Sequence, residues 1–103
     1  MSGFVVHPDA LADLEEIWEF IAADNLDAAD RVAQEILDAI RGLVAFPQQG
    51  HTRSDLTARP LRFQTIRDFL IAYAPDEEPL LVVALLHGRR NPRVIAALLR
   101  ERA

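Results

Sequence analysis

Arg62, Arg89 and Arg90, together with His87, Tyr73 and His51, are the residues whose types could do chemistry on a phosphate. An imidazole or phenol can take or return a hydroxyl proton, and a guanidinium can hold the charge that develops on a phosphorane-like centre. His87, Arg89 and Arg90 fall together at the end of FLIAYAPDEEPLLVVALLHGRR, residues 69–90, where two apolar runs flank a polar turn and stop at a basic pair. Each group also has a plain structural reading. Arginines just after a strand are commonly solvated ends or ion-pair partners. A histidine closing an apolar strand is commonly a hydrogen-bonded edge residue, and a strand tyrosine commonly packs its ring and leaves its hydroxyl at the surface. Gly88, between strand and arginines, predicts a sharp bend that aims its neighbours. His7, His51 and His87 are far apart and lack carboxylates at ligand spacing, so neither a metal site nor a cofactor is expected.

The elements that must position these groups follow from periodicity. Residues 3–7 read as a short strand ended by Pro8, which suits the first turn of a helix. Leu11, Leu14, Ile17, Trp18 and Ile21 then recur at intervals of three and four, with acids crowding the first turns, where the helix dipole favours them. Trp18 reads as a core residue ringed by solvated acids. After a break near residues 24–26, a second apolar stripe runs from Ala29 to Val44 until Pro47 ends it. The two stripes predict an antiparallel helical hairpin. Residues 48–59 are polar and read as a loop whose arginines reach outward. Residues 61–67, 69–74 and 80–87 read as three strands of an antiparallel meander, the last apolar on both faces and therefore central. Asn91 as cap and Pro92 as first residue predict a short C-terminal helix. The fold class is α+β, in the order β-α-α-β-β-β with a final helix.

At 103 residues the chain predicts one domain spanning 1–103. Half the residues are hydrophobic and no cysteine is present, which excludes disulfides, thiol nucleophiles and thiolate metal sites. The longest apolar run falls far short of a membrane span, and the first residues lack a signal layout, so a cytoplasmic protein with no membrane partner is expected. Charge is uneven. Residues 1–50 carry ten acids against Arg31 and Arg41, whereas residues 51–103 carry nine arginines against six acids. Every basic residue is arginine, which suits bidentate contact with carboxylate or phosphate.

The ordered combination of ALADLEEIWEFIA, AADRVAQEILDAIRGLVAFP and IAYAPDEEPLLVVALLHGRR resembles the RelE/ParE superfamily of bacterial type II toxins. Pro47 after the second helix, Tyr73 ending the middle strand, and the His87-Gly88-Arg89-Arg90 ending resemble the ParE branch most. That resemblance implies a toxin that inhibits DNA gyrase by binding rather than as an enzyme, neutralised by a cognate antitoxin in a hetero-oligomer. The expected target contacts are Arg62, Arg89 and Arg90. The expected antitoxin contacts are Leu14, Glu16, Trp18, Glu19 and Ile21 on the acidic hairpin, which predicts basic residues on the antitoxin. No sequence-specific nucleic-acid binding is expected. The RelE branch implies instead a ribosome-dependent mRNA endonuclease, with Tyr73 or His87 moving the proton and Arg62 and Arg89 on phosphate. Against it, the chain has no lysine, no aromatic residue after Tyr73 and an acidic balance. A non-toxic antitoxin-binding module is the third alternative.

Overall fold

A computed structural model describes residues 3–102. The elements run β1 (Phe4–Val6), α1 (Pro8–Ala22), α2 (Leu26–Ala45), β2 (Arg62–Ile66), β3 (Phe69–Ala74), β4 (Leu80–His87) and α3 (Pro92–Glu101), the order expected. Each helix starts on a side-chain cap. The His7 ring accepts from the Asp9 amide, Asn25 from Ala28, and Asn91 from Arg93, so otherwise orphaned N–H groups are satisfied. Asn25 sits at the polar break between the two helices, and the Trp18 indole donates to Asp30 of α2 at 2.8 Å, fastening the hairpin.

The sheet order is β1-β4-β3-β2. The β2-β3-β4 meander is antiparallel as expected, and β1 joins it parallel to β4, pairing only with Leu80, Leu81 and Val82. The sheet is therefore mixed, with β4 inside it. Both faces are covered. Ile36, Ile40 and Leu43 of α2 and Ala10 of α1 pack on Ile71, Tyr73, Val82 and Leu85. On the opposite face Ile95 and Leu99 of α3, with Leu56 and Leu61 from the long loop, pack on Phe63, Leu70, Val83 and Leu86. This second cover explains why β4 is apolar throughout, since each buried Leu, Ile or Val side chain contributes about 1.5–3 kcal/mol.

A register shift falls between Ala72 and Tyr73: Ala72 faces Ala84 but Tyr73 faces Val82, leaving Val83 as the extra residue of a β-bulge. The bulge changes which backbone groups of β4 point to its outer edge. The long loop also differs from expectation. Its arginines are engaged within the chain: Arg53 pairs with Asp55 at the surface, and Arg59 donates to the carbonyls of Leu99 and Arg102 at the end of α3.

Candidate functional site

The register of the sheet separates the candidate residues into two groups. Arg62 faces Tyr73, which faces Val82; at the other end Ile66 faces Phe69, which faces His87. The five residue steps from Val82 to His87 span roughly 16 Å of strand. Tyr73 and Arg62 thus lie at one end, and His87, Arg89 and Arg90 at the other.

The Tyr73 end is closed. Tyr73 has 0 % of its surface exposed, and its hydroxyl donates to the Pro47 carbonyl at 2.7 Å while accepting from the Gly50 amide at 2.9 Å. Burial raises the phenol's pKa above its ordinary 10.0, opposed by the Gly50 bond and the Arg62 charge. The expectation of a surface hydroxyl is corrected: the ring packs under α2 and its oxygen ties the chain leaving that helix to the sheet. Arg62 donates to the Gly50 carbonyl at 2.6 Å. Gly50 is required by close approach, since a Cβ there would lie 2.7 Å from the Tyr73 hydroxyl and 2.8 Å from the Phe63 carbonyl. Arg62 and Tyr73 are therefore a structural latch.

The His87 end is open. A groove of about 910 Å³ runs between α1 and α3 along the end of β4. Ile17, Phe20 and Ile21 form one wall, Leu98 the other, Leu85 to His87 the floor, and Arg67, Arg89 and Arg90 the mouth. Phe20 is 82 % exposed, unusual for an aromatic with no interior to enter. His87 stacks edge-on against Phe69 with centroids 5.4 Å apart. Arg89 lies 3.8 Å from Asp68 with its side chain 80 % exposed, a contact of little energetic weight. The Arg90 side chain has no hydrogen-bond or ion-pair partner among the described residues. Gly88 is set by closeness rather than by an unusual backbone: its N–H donates to the Asp68 carbonyl at 2.7 Å, and its φ is not positive.

Of the residues expected on α1, Glu16 and Ile21 line this groove. Leu14 packs inward toward the sheet, Trp18 is engaged with Asp30, and Glu19 is exposed away from the groove lining. Sequence reasoning missed Phe20 as a site residue, although Asp13, Glu16, Ile17 and Phe20 share a three-and-four spacing that puts them on one helical stripe. It also missed Arg67, the first residue of the two-residue β2–β3 loop, which has φ 53°. Its guanidinium binds both carboxylate oxygens of Glu35 on α2, at 2.5 and 2.8 Å. Those hydrogen bonds lower the Glu35 pKa and raise that of Arg67. Among the described residues no three His, Asp or Glu side chains gather as a metal site, and no helix is long and apolar enough to cross a membrane.

The sequence model of the family described as ParE toxin of type II toxin-antitoxin system, parDE, matches residues 4–92, ending where α3 begins. A solved structure from the chromosomal ParDE TA system of P. aeruginosa shares the fold, with a TM-score of 0.70 at 18% identity, over 84% of this chain and 96% of that one. No curated protein sequence matches this chain.

Proposed function

Because the chain belongs to the ParE toxin family of type II toxin-antitoxin systems, we propose that it arrests growth in the cytoplasm by binding DNA gyrase without catalysing a reaction, and that a cognate antitoxin holds it inactive in a hetero-oligomer. The observation that carries this reading is the open end of the sheet: two arginines with little or no internal pairing at the mouth of an apolar groove with a projecting Phe20. Exposed aromatic and arginine side chains around a groove are the components of a protein-binding surface. A nuclease needs its proton-transfer group and phosphate clamps around one scissile bond. Here Tyr73 with Arg62 and His87 with Arg89 sit at opposite ends, and the first pair is consumed by the latch.

The antitoxin would cover the same groove. Glu16 lines it beside the acid-rich α1, so the docking segment should carry basic residues, and charge reversal at Glu16 should weaken the complex more than reversal at Glu19. Because the groove and the unspent arginines are contiguous, neutralisation would be direct occlusion.

Inducing the chain in bacteria and following labelled thymidine and methionine in the first minutes tests the target. DNA synthesis failing first, with a DNA-damage response, supports gyrase. Translation failing first transfers the chain to the mRNA endonucleases, and normal growth leaves only an antitoxin-binding module.

A further inference from the structure

Most arginines of the chain are engaged. Five of them face a carboxylate, and Arg59 and Arg62 donate to backbone carbonyls. Arg90, Arg93 and Arg100 are exposed and have no side-chain hydrogen bond or ion pair among the described residues. Arg93 and Arg100 stand seven positions apart on α3, two turns of helix, so they project from nearly the same side about 10.5 Å apart along the axis. That side is turned away from Ile95 and Leu99, which are buried against the sheet. By the same helical spacing Ala97 lies on the surface between the two arginines with Ala96 beside it, so a ligand can approach the helix closely. Arg90 sits at the foot of the helix, just before its Asn91 cap, and Glu101 is the one carboxylate that α3 carries.

The platform under these arginines is firm. Arg59 holds the carbonyls of Leu99 and Arg102, and Arg102 binds Asp13 of α1 through two hydrogen bonds of 2.6 and 2.9 Å, each side chain only 13 % exposed. The surrounding charge favours one ligand type. α1 and α2 carry nine acids against Arg31 and Arg41, and they cover the other face of the sheet. Two layers of packing separate the acidic field from α3, more than the screening length of roughly 8 Å at physiological ionic strength, so the acids do not cancel the α3 arginines. A polyanion is repelled at one face of the molecule and drawn to the other.

We propose that the outer face of α3, with Arg90 at its foot, is a contact for the DNA backbone, and that the toxin docked on gyrase uses it to grip the duplex that gyrase itself holds; the second clause rests on the gyrase reading above. A guanidinium gives a phosphate two parallel hydrogen bonds and requires no particular base. The interval of about 10.5 Å between Arg93 and Arg100 is about three steps of one DNA strand at roughly 3.4 Å each, which places both within reach of one strand's phosphates. An acidic protein surface fits less well. Protein interfaces are anchored by aromatic or other large side chains, as the groove is by Phe20, whereas Val94 is the only large hydrophobic of α3 that is mostly exposed.

The test is Arg93→Gln/Arg100→Gln, at exposed positions where the melting curve should hardly move. At low salt a mixed-sequence duplex should shift the backbone NMR signals of α3 and leave those of α1 and α2 in place. The variant should bind that duplex about tenfold more weakly, and its slope of log affinity on log salt should be shallower by about two. With purified gyrase, the variant should bind the duplex-loaded enzyme about tenfold more weakly than the wild type does, and the DNA-free enzyme equally well. A duplex that shifts no α3 signal, or that both proteins bind equally, overturns the proposal. Equal weakening toward DNA-free gyrase makes α3 a protein contact and overturns it too. Lost duplex binding with unchanged binding to loaded gyrase overturns the second clause. If the duplex binds α3 but gyrase is bound neither with nor without DNA, the gyrase reading falls and the backbone contact stands.

Discussion

The two ends of the sheet use the same side-chain types in opposite ways. At one end an arginine and a tyrosine are spent: the Tyr73 hydroxyl and the Arg62 Nη1 both bond backbone groups between Pro47 and Gly50. At the other end an arginine pair and a histidine stand beside an exposed phenylalanine and an open groove. An arginine near the end of a strand is thus uninformative by type. What distinguishes the ends is whether a loop returns over them, and only residues 46–50 do so, because α2 stops beside Tyr73. The comparison predicts that substitutions at the closed end act on folding and those at the open end act on partners.

The largest effect belongs to Gly50→Ala. A Cβ placed 2.7 Å from the Tyr73 hydroxyl must move the ring or the loop, and either motion breaks the latch. Overpacking and the lost hydrogen bonds together should cost about 3 kcal/mol, which corresponds to a fall in Tm of about 10–20 °C by thermal denaturation. An unshifted Tm would mean that the loop is not packed on Tyr73.

Tyr73→Phe comes next, at about 2 kcal/mol, because the Gly50 amide and Pro47 carbonyl lose their partner without losing their burial. It carries a pH signature. The folded state holds the phenol proton more tightly than the unfolded chain, whose value is near 10.0, so this stability is fully present below that value and is lost as pH rises through the folded pKa. Chemical denaturation across the alkaline range should show the wild type weakening where Tyr73→Phe does not. The chain has one tyrosine, so its ultraviolet titration reports this site alone.

The fold was largely legible because its signals are local. Two apolar stripes, Pro8, Pro47 and the Asn91-Pro92 start each act within a few residues, and all three helices formed where those signals lie. The resemblance located the family for the same reason, through motifs in order. The site was only half legible. Nothing in the residues around Arg62 tells it from Arg89; the difference is the register between β2, β3 and β4, which sets the two at opposite ends. Asp13 and Arg102 are 89 positions apart and carry no pattern that joins them, and the parallel placement of β1 depends on the crossover made by the hairpin. Phe20 was visible as an aromatic on the same stripe as Glu16, but its exposure depends on what the tertiary fold packs against α1.

At the open end the effects on stability should be small and those on function large. Arg89→Ala/Arg90→Ala should change folding by no more than about 0.5 kcal/mol, as expected for surface positions, while abolishing growth inhibition. Phe20→Ser should likewise leave the melting curve nearly unmoved and weaken the antitoxin complex about tenfold or more, as loss of an aromatic anchor does. Titration calorimetry beside thermal melts separates the two quantities. If either variant melted early, the open end would be structural after all and the contrast between the ends would collapse.

The smallest effect lies at the corner where the open end meets the helices. Arg67 occupies a left-handed backbone conformation at the first position of a two-residue hairpin loop, where glycine or asparagine sits without steric cost. What holds an arginine there is its fork on Glu35, yet that pair is solvent-screened, and its energy is correspondingly slight. Backbone relief should therefore exceed the lost ion pair, and Arg67→Gly should raise Tm by a few degrees. Glu35 supplies the sign control. Its folded pKa is lowered from 4.5 by the Arg67 hydrogen bonds, so what the pair contributes is present above the unfolded carboxylate value and vanishes as pH falls through the folded one. The gain from Arg67→Gly should consequently be larger in acid than at neutral pH, and larger in high salt than in low. A Tm that falls at neutral, low-salt conditions and recovers in acid would show the ion pair to outweigh the backbone, making Arg67 the one mouth arginine held for structure rather than kept for a partner.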